Sequence, residues 1–200
     1  MRIGARRCTR SRIYCLIFII FTLSLASCTT GGSPASARSA AEKIAPLFET
    51  VQSLTARVTI LVNRGTLENE FTLSWTATAS ESAITVIAPD AVAGVSVHIS
   101  ADGRSVAYDG AALTLPDTVS PLELLPWMLS SWRDGVYAEA VADNTSGVQA
   151  VVVTYRDTIA QDIYECRTRF DAARLTPLAA EVSVNGVRMA AMRFDTVTLG

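Results

Sequence analysis

From Ala56 onward the chain alternates between apolar and polar positions. Ala56, Val58, Ile60 and Val62 are separated by Arg57, Thr59 and Leu61, and Phe71, Leu73, Trp75 and Ala77 by Thr72, Ser74 and Thr76. A period of two puts alternate side chains on opposite faces, so each run predicts a half-buried strand. Residues 84–88, 95–99, 106–108 and 113–115 continue the pattern, with turn signals at Asn63-Arg64-Gly65, Pro89-Asp90, Asp102-Gly103 and Asp109-Gly110. It resumes over 136–142, 148–155, 163–170, 178–184 and 187–199, and Asn185-Gly186 marks a two-residue hairpin between the last two. About eleven strands are expected, in two runs.

Two stretches break this period. Ala41, Ile44, Ala45, Phe48 and Val51 recur at helical spacing and predict a helix over 39–52, which Pro46 should kink or shorten. Between the two strand runs, Ser120-Pro121-Leu122-Glu123 has the form of a capping box with proline at the first helical position. Leu122, Leu125, Leu129 and Trp132 follow on one face, Pro126 is expected to split the segment into two short helices, and Gly135 to end it.

The amino terminus belongs to neither pattern. Arg2, Arg6, Arg7, Arg10 and Arg12 precede an uncharged apolar stretch at 13–25. That stretch is shorter than the about 20 residues a spanning helix needs, and it has the length of a signal-peptide core. Leu25-Ala26-Ser27-Cys28 follows and resembles a bacterial lipobox, in which small residues admit the peptidase and the thiol carries a lipid. The expected organisation is a signal peptide over 1–27, a lipidated Cys28 with a flexible linker to residue 39, and one domain over 40–200. The domain would then act on the extracytoplasmic side of a membrane, cell membrane or outer membrane, within linker reach of its surface.

Charge narrows the partners. All 19 acidic residues but only 12 of the 17 basic ones lie after Cys28, which leaves the mature chain at −7. Such a balance argues against nucleic acid as a partner. Of the four cysteines, Cys8 and Cys15 would leave with the signal and Cys28 would be acylated. Cys166 then has no partner for an internal disulfide. His98, the single histidine, sits on the polar side of a predicted strand with Ser96 and Ser100, and no G-x-S-x-G motif accompanies it. Asp90, Asp102, Asp109 and Asp134 fall at turns and read as turn formers. No catalytic residue, metal ligand or cofactor is expected, and the chain is not read as an enzyme.

Ile99-Ser100-Ala101-Asp102-Gly103 leading into Val106-Ala107-Tyr108-Asp109-Gly110, with the leucine- and proline-rich segment 120–132 after it, resembles the outer-membrane lipoprotein carrier (LolA/LolB-like) superfamily. The likeness lies in the order of elements over 41–199. It implies an α+β fold that is mainly antiparallel β, a curved incomplete barrel covered by short helices. It also implies a hydrophobic cavity for a lipid or a lipoprotein's acyl chain. Phe71, Leu73, Trp75, Leu125, Met128, Leu129 and Trp132 are the candidate lining residues, and ordinary core packing is the competing reading for them. The family's functional arginine has no counterpart in Ile84-Thr85-Val86-Ile87-Ala88. The alternative is a structural or regulatory lipoprotein that binds a protein partner and has no lipid cavity.

Overall fold

Alternation of β-branched and aromatic residues with Thr, Ser and Arg is realised as a sheet. The structure, a computed structural model, describes residues 33–64, 67–114, 123–145, 147–159 and 161–200. The strands are β1 (Ser53–Arg64), β2 (Leu67–Thr78), β3 (Glu81–Ala88), β4 (Ser96–Ser100), β5 (Gly103–Tyr108), β6 (Ala111–Thr114), β7 (Glu139–Asp143), β8 (Ala150–Ile159), β9 (Asp162–Asp171), β10 (Pro177–Val184) and β11 (Val187–Leu199). They form one antiparallel sheet in the order β6-β5-β4-β3-β2-β1-β11-β10-β9-β8-β7. Two meanders therefore meet at the pairing of the first strand with the last.

Register carries the alternation across the strands. Ala56 opposes Trp75 and Val58 opposes Leu73 on one side. Val58 opposes Phe194 and Ile60 opposes Met192 on the other. All of these are buried, so one continuous apolar face results. Register shifts interrupt the β1–β11, β10–β11, β9–β10 and β2–β3 ladders. Such irregularities bend strands and strengthen their twist. The sheet is curved and does not close, as an α+β incomplete barrel.

Helices α1 (Pro34–Ala41) and α2 (Ile44–Thr50) precede the sheet, and α3 (Leu124–Asp134) lies in sequence between the two edge strands β6 and β7. The helix expected over 39–52 is thus two helices. Pro46 cannot bond to the carbonyl of Glu42 and its ring clashes there, so the break falls at Glu42-Lys43. Helix also reaches into the segment expected as linker. The Ser33 hydroxyl accepts the Ser36 N–H, Pro34 stands in the first turn, and Ala37 and Ala41 are buried.

The expected split of α3 at Pro126 does not occur. Pro126 is its third residue, in the first turn, where backbone N–H groups have no intrahelical acceptor to lose. Gly135 ends the helix as expected, in the left-handed conformation at φ 69°. Of the expected capping box, Ser120 to Leu122 lie outside the described residues. Glu123 precedes the helix and makes no side-chain cap bond. The strand expected from Val136 begins only at Glu139, and Val136 is 79% exposed.

Candidate functional site

Helix α3 presents Leu124, Leu125, Met128, Leu129 and Trp132 as one buried stripe to the apolar face of the sheet. Trp132 is the hub of the contact. Its ring lies 5.2 Å from Phe48 on α2, 5.4 Å from Phe170 on β9, 6.0 Å from Phe194 on β11 and 6.3 Å from Trp75 on β2, all tilted or edge-on. Both indole N–H groups in this cluster are satisfied: Trp132 Nε1–H donates to Thr168 Oγ1 at 3.1 Å and Trp75 Nε1–H to Ser82 Oγ at 2.9 Å. A buried donor left without a partner would cost about 1–3 kcal/mol, which explains why a threonine and a serine sit on an otherwise apolar face.

The candidate lining residues are brought together here. Leu73, Trp75, Leu125, Met128 and Trp132 are 0% exposed, so they are packed against protein on all sides, and Leu129 is 4% exposed and borders a small hollow. Phe71 is half-buried at the margin of the same cluster. Cys28 lies outside the described residues.

Open space adjoins the other flank of α3. A hollow of about 260 Å³ is walled by Pro126, Trp127 and Ser130 of the helix, by Ile99 and Arg104 of β4 and β5, and by Ile159 and Tyr164 of β8 and β9. The Trp127 and Tyr164 rings meet edge to face at 5.7 Å. Glu123 and Leu124 also line it, and Arg104 Nη1 lies 2.9 Å from Glu123 Oε1, with the carboxylate side chain largely buried. Ile99, Pro126 and Ser130 also border a second hollow of about 160 Å³, which extends to Ser82, Glu81 and Arg133. Sharing these three residues, the two hollows adjoin as a groove along α3, with the Trp127–Tyr164 contact and the Arg104–Glu123 pair toward one end and Arg133 toward the other.

Of the candidate lining residues named from the sequence, only Leu129 borders this groove, at its second hollow. Tyr164 and Ile159 come from the far side of the sheet and meet the helix only because α3 crosses between the two edges. One signal was available for Tyr164: it shares an inward face with Cys166, Thr168 and Phe170.

A further hollow, of about 400 Å³, lies where α1 meets the β7–β8 and β9–β10 connections and is lined by Ser36, Ser39, Lys43 and Gln149 among others. His98 is exposed on β4. Asp90 opens a short 3-10 turn, Asp109 occupies a left-handed turn position at φ 49°, and Asp134 ends α3. Cys166 is fully buried, and burial pushes its thiol up to about 12, so it is an inert core group at neutral pH. Among the described residues no cluster of three His, Cys, Asp or Glu side chains could hold a metal ion. None of the described helices is long and apolar enough to cross a membrane.

No protein-family model and no curated protein matches this chain. Solved structures do. A putative outer membrane lipoprotein-sorting protein domain from Vibrio parahaemolyticus aligns at a TM-score of 0.46 and 10% identity, over 84% of this chain and 93% of that one. The Mycobacterium tuberculosis lipoprotein LppX aligns at 0.43 and 12%, over 84% and 95%. A LolA superfamily protein from Nitrosomonas europaea aligns at 0.40 and 9%, over 82% and 93%. All three alignments have TM-scores below 0.5 and identities of 12% or less.

Proposed function

We propose that this chain is a membrane-tethered extracytoplasmic lipoprotein whose domain holds the acyl chain of a lipid or lipoprotein in the groove along α3. The observation that carries the reading is the hollow walled by Trp127, Tyr164, Ile99, Ile159 and Pro126. At about 260 Å³ it is slightly below the roughly 300–1,000 Å³ of small-molecule sites, a size that suits part of one chain. Each methylene buried there contributes about 0.8 kcal/mol, so a few are enough for useful affinity. Tethering rests on the basic-then-apolar amino terminus and on Leu25-Ala26-Ser27-Cys28.

Native mass spectrometry of the chain purified from membranes tests the groove, and intact mass after organic extraction tests acylation of Cys28. The expected result is a non-covalent lipid released on extraction and a covalent one that stays. Ser130→Trp, which fills the groove from the exposed flank of α3, should abolish the first and leave the second. Equal lipid retention by the variant would rule the groove out as the site.

The solid packing of the inner stripe of α3 favours a second reading, in which the helix is a permanent cover and the domain binds a protein. Cross-linking in intact cells that captures one protein repeatedly, from a chain that purifies without lipid, would establish it.

A further inference from the structure

Two arginines line the groove along α3, and they are differently placed. Arg104 is held by Glu123 at 2.9 Å. Arg133, in the last turn of α3, donates from both Nη1 and Nη2 to the carbonyl oxygen of Thr78 at 3.3 and 3.4 Å. It has no carboxylate within ion-pair distance among the described residues. It is half-buried, and it closes the polar end of the groove, next to Ser100 and Ser130.

A guanidinium that is partly desolvated, anchored by one neutral carbonyl and short of a counter-charge is an anion site. At the other end, beside Trp127 and Tyr164, the Arg104 guanidinium is already neutralised by Glu123, so that end favours the apolar part of a ligand. Polarity along the groove therefore orders a ligand: tail at one end, negative group at the other. Glu81 lines the polar hollow as well, and it penalises a second negative charge. We propose that Arg133 is the headgroup subsite of the groove, and that the ligand is a single-chain amphiphile bearing one negative charge, a carboxylate or a phosphodiester. This rests on the groove being the acyl site. The chain's overall negative charge does not oppose it, because beyond about 10 Å other charges are screened at ordinary salt.

The test uses the full chain in phosphatidylcholine nanodiscs doped, at equal mole fraction, with one of three bromine-labelled probes: a fatty acid, a lysophosphatidylglycerol or an uncharged monoacylglycerol. Bromine near Trp127 quenches its fluorescence, and Trp127→Phe supplies the background from the two buried tryptophans. Both anionic probes should half-quench at roughly a tenfold lower mole fraction than the neutral one, as a charged hydrogen bond implies. Arg133→Gln should bring them down to the neutral probe's level and leave that probe unchanged. Arg133→Lys, which keeps the charge, should retain most of the preference and controls for loss of the bond to Thr78. A preference confined to one anionic probe identifies the headgroup. If all three probes quench equally, or if Arg133→Gln weakens all three alike, the headgroup subsite is wrong and the acyl groove stands. If none quenches, both readings fall.

Discussion

Thr168 is a polar residue at a fully buried position, and its reason is the Trp132 indole it accepts from. Replacing it by valine keeps the volume and removes the acceptor. Thr168→Val should therefore destabilise the fold by about 1–3 kcal/mol, read as a lower midpoint in urea. Gly135 is constrained twice. At φ 69° any other residue costs about 1–2 kcal/mol, and a Cβ there would come within 2.6 Å of the Ala45 Cβ. Gly135→Ala should cost at least that much in the same assay. Asp143 gives the fold a pH dependence. Thr145, through its hydroxyl and its backbone N–H, and then Arg169 hold its pKa down from 3.8 to about 2. A depressed folded-state value stabilises above the unfolded value and fades as pH falls through the folded one. The contribution of Asp143 is thus complete above about pH 4 and lost toward pH 2. Asp143→Asn should flatten stability across that window and leave its slope at higher pH unchanged.

At the level of elements, period alone placed the strands, because a half-buried strand writes its own orientation into every second residue. What period could not place was proline. Pro46 and Pro126 look alike in sequence, one inside each apolar helical pattern. Pro46 interrupts because the carbonyl it faces, at Glu42, would have been inside the helix. Both prolines stand third in the helix that follows; Pro46 marks a break because α1 already runs to Ala41, whereas Pro126 falls in the first turn of α3 with no described helix before it to interrupt. Pro126→Ala should accordingly shift stability by less than about 1 kcal/mol, against about 3 for a proline in a helix interior, and thermal melts would separate the two. The helix at Pro34–Ala41 was hidden for a related reason. Its small residues carry almost no apolar stripe, and only burial of Ala37 and Ala41 against the rest of the domain shows which side faces in. The candidate site was legible to the same extent. The aromatic cluster could be named, since Trp75 and Trp132 lie on apolar faces. Which flank of α3 stays open could not, because it depends on where the helix crosses the sheet.

On the scale of the whole domain, the first and last strands are the central pair, and each meander runs outward from them to an edge. The seam joins Leu54 to Leu199 and Val62 to Ala190, so almost the entire domain must be closed into a loop before it forms. Contacts so distant in sequence are costly to make early and rewarding only once both halves are present. The edges differ in kind. Every residue of β6 is exposed, and β7 buries none fully. Stability should therefore be graded from the centre outward. Amides of β1 and β11 should exchange with solvent only by global unfolding, while those of β6 and β7 open at lower free energy. Ile60, 0% exposed in the seam opposite Met192, supplies the mutational check. Ile60→Ala should cost about 2–5 kcal/mol and lower both meanders in a single transition. Two separated transitions, or seam amides that exchange before those of the edges, would show instead that the halves fold independently and dock.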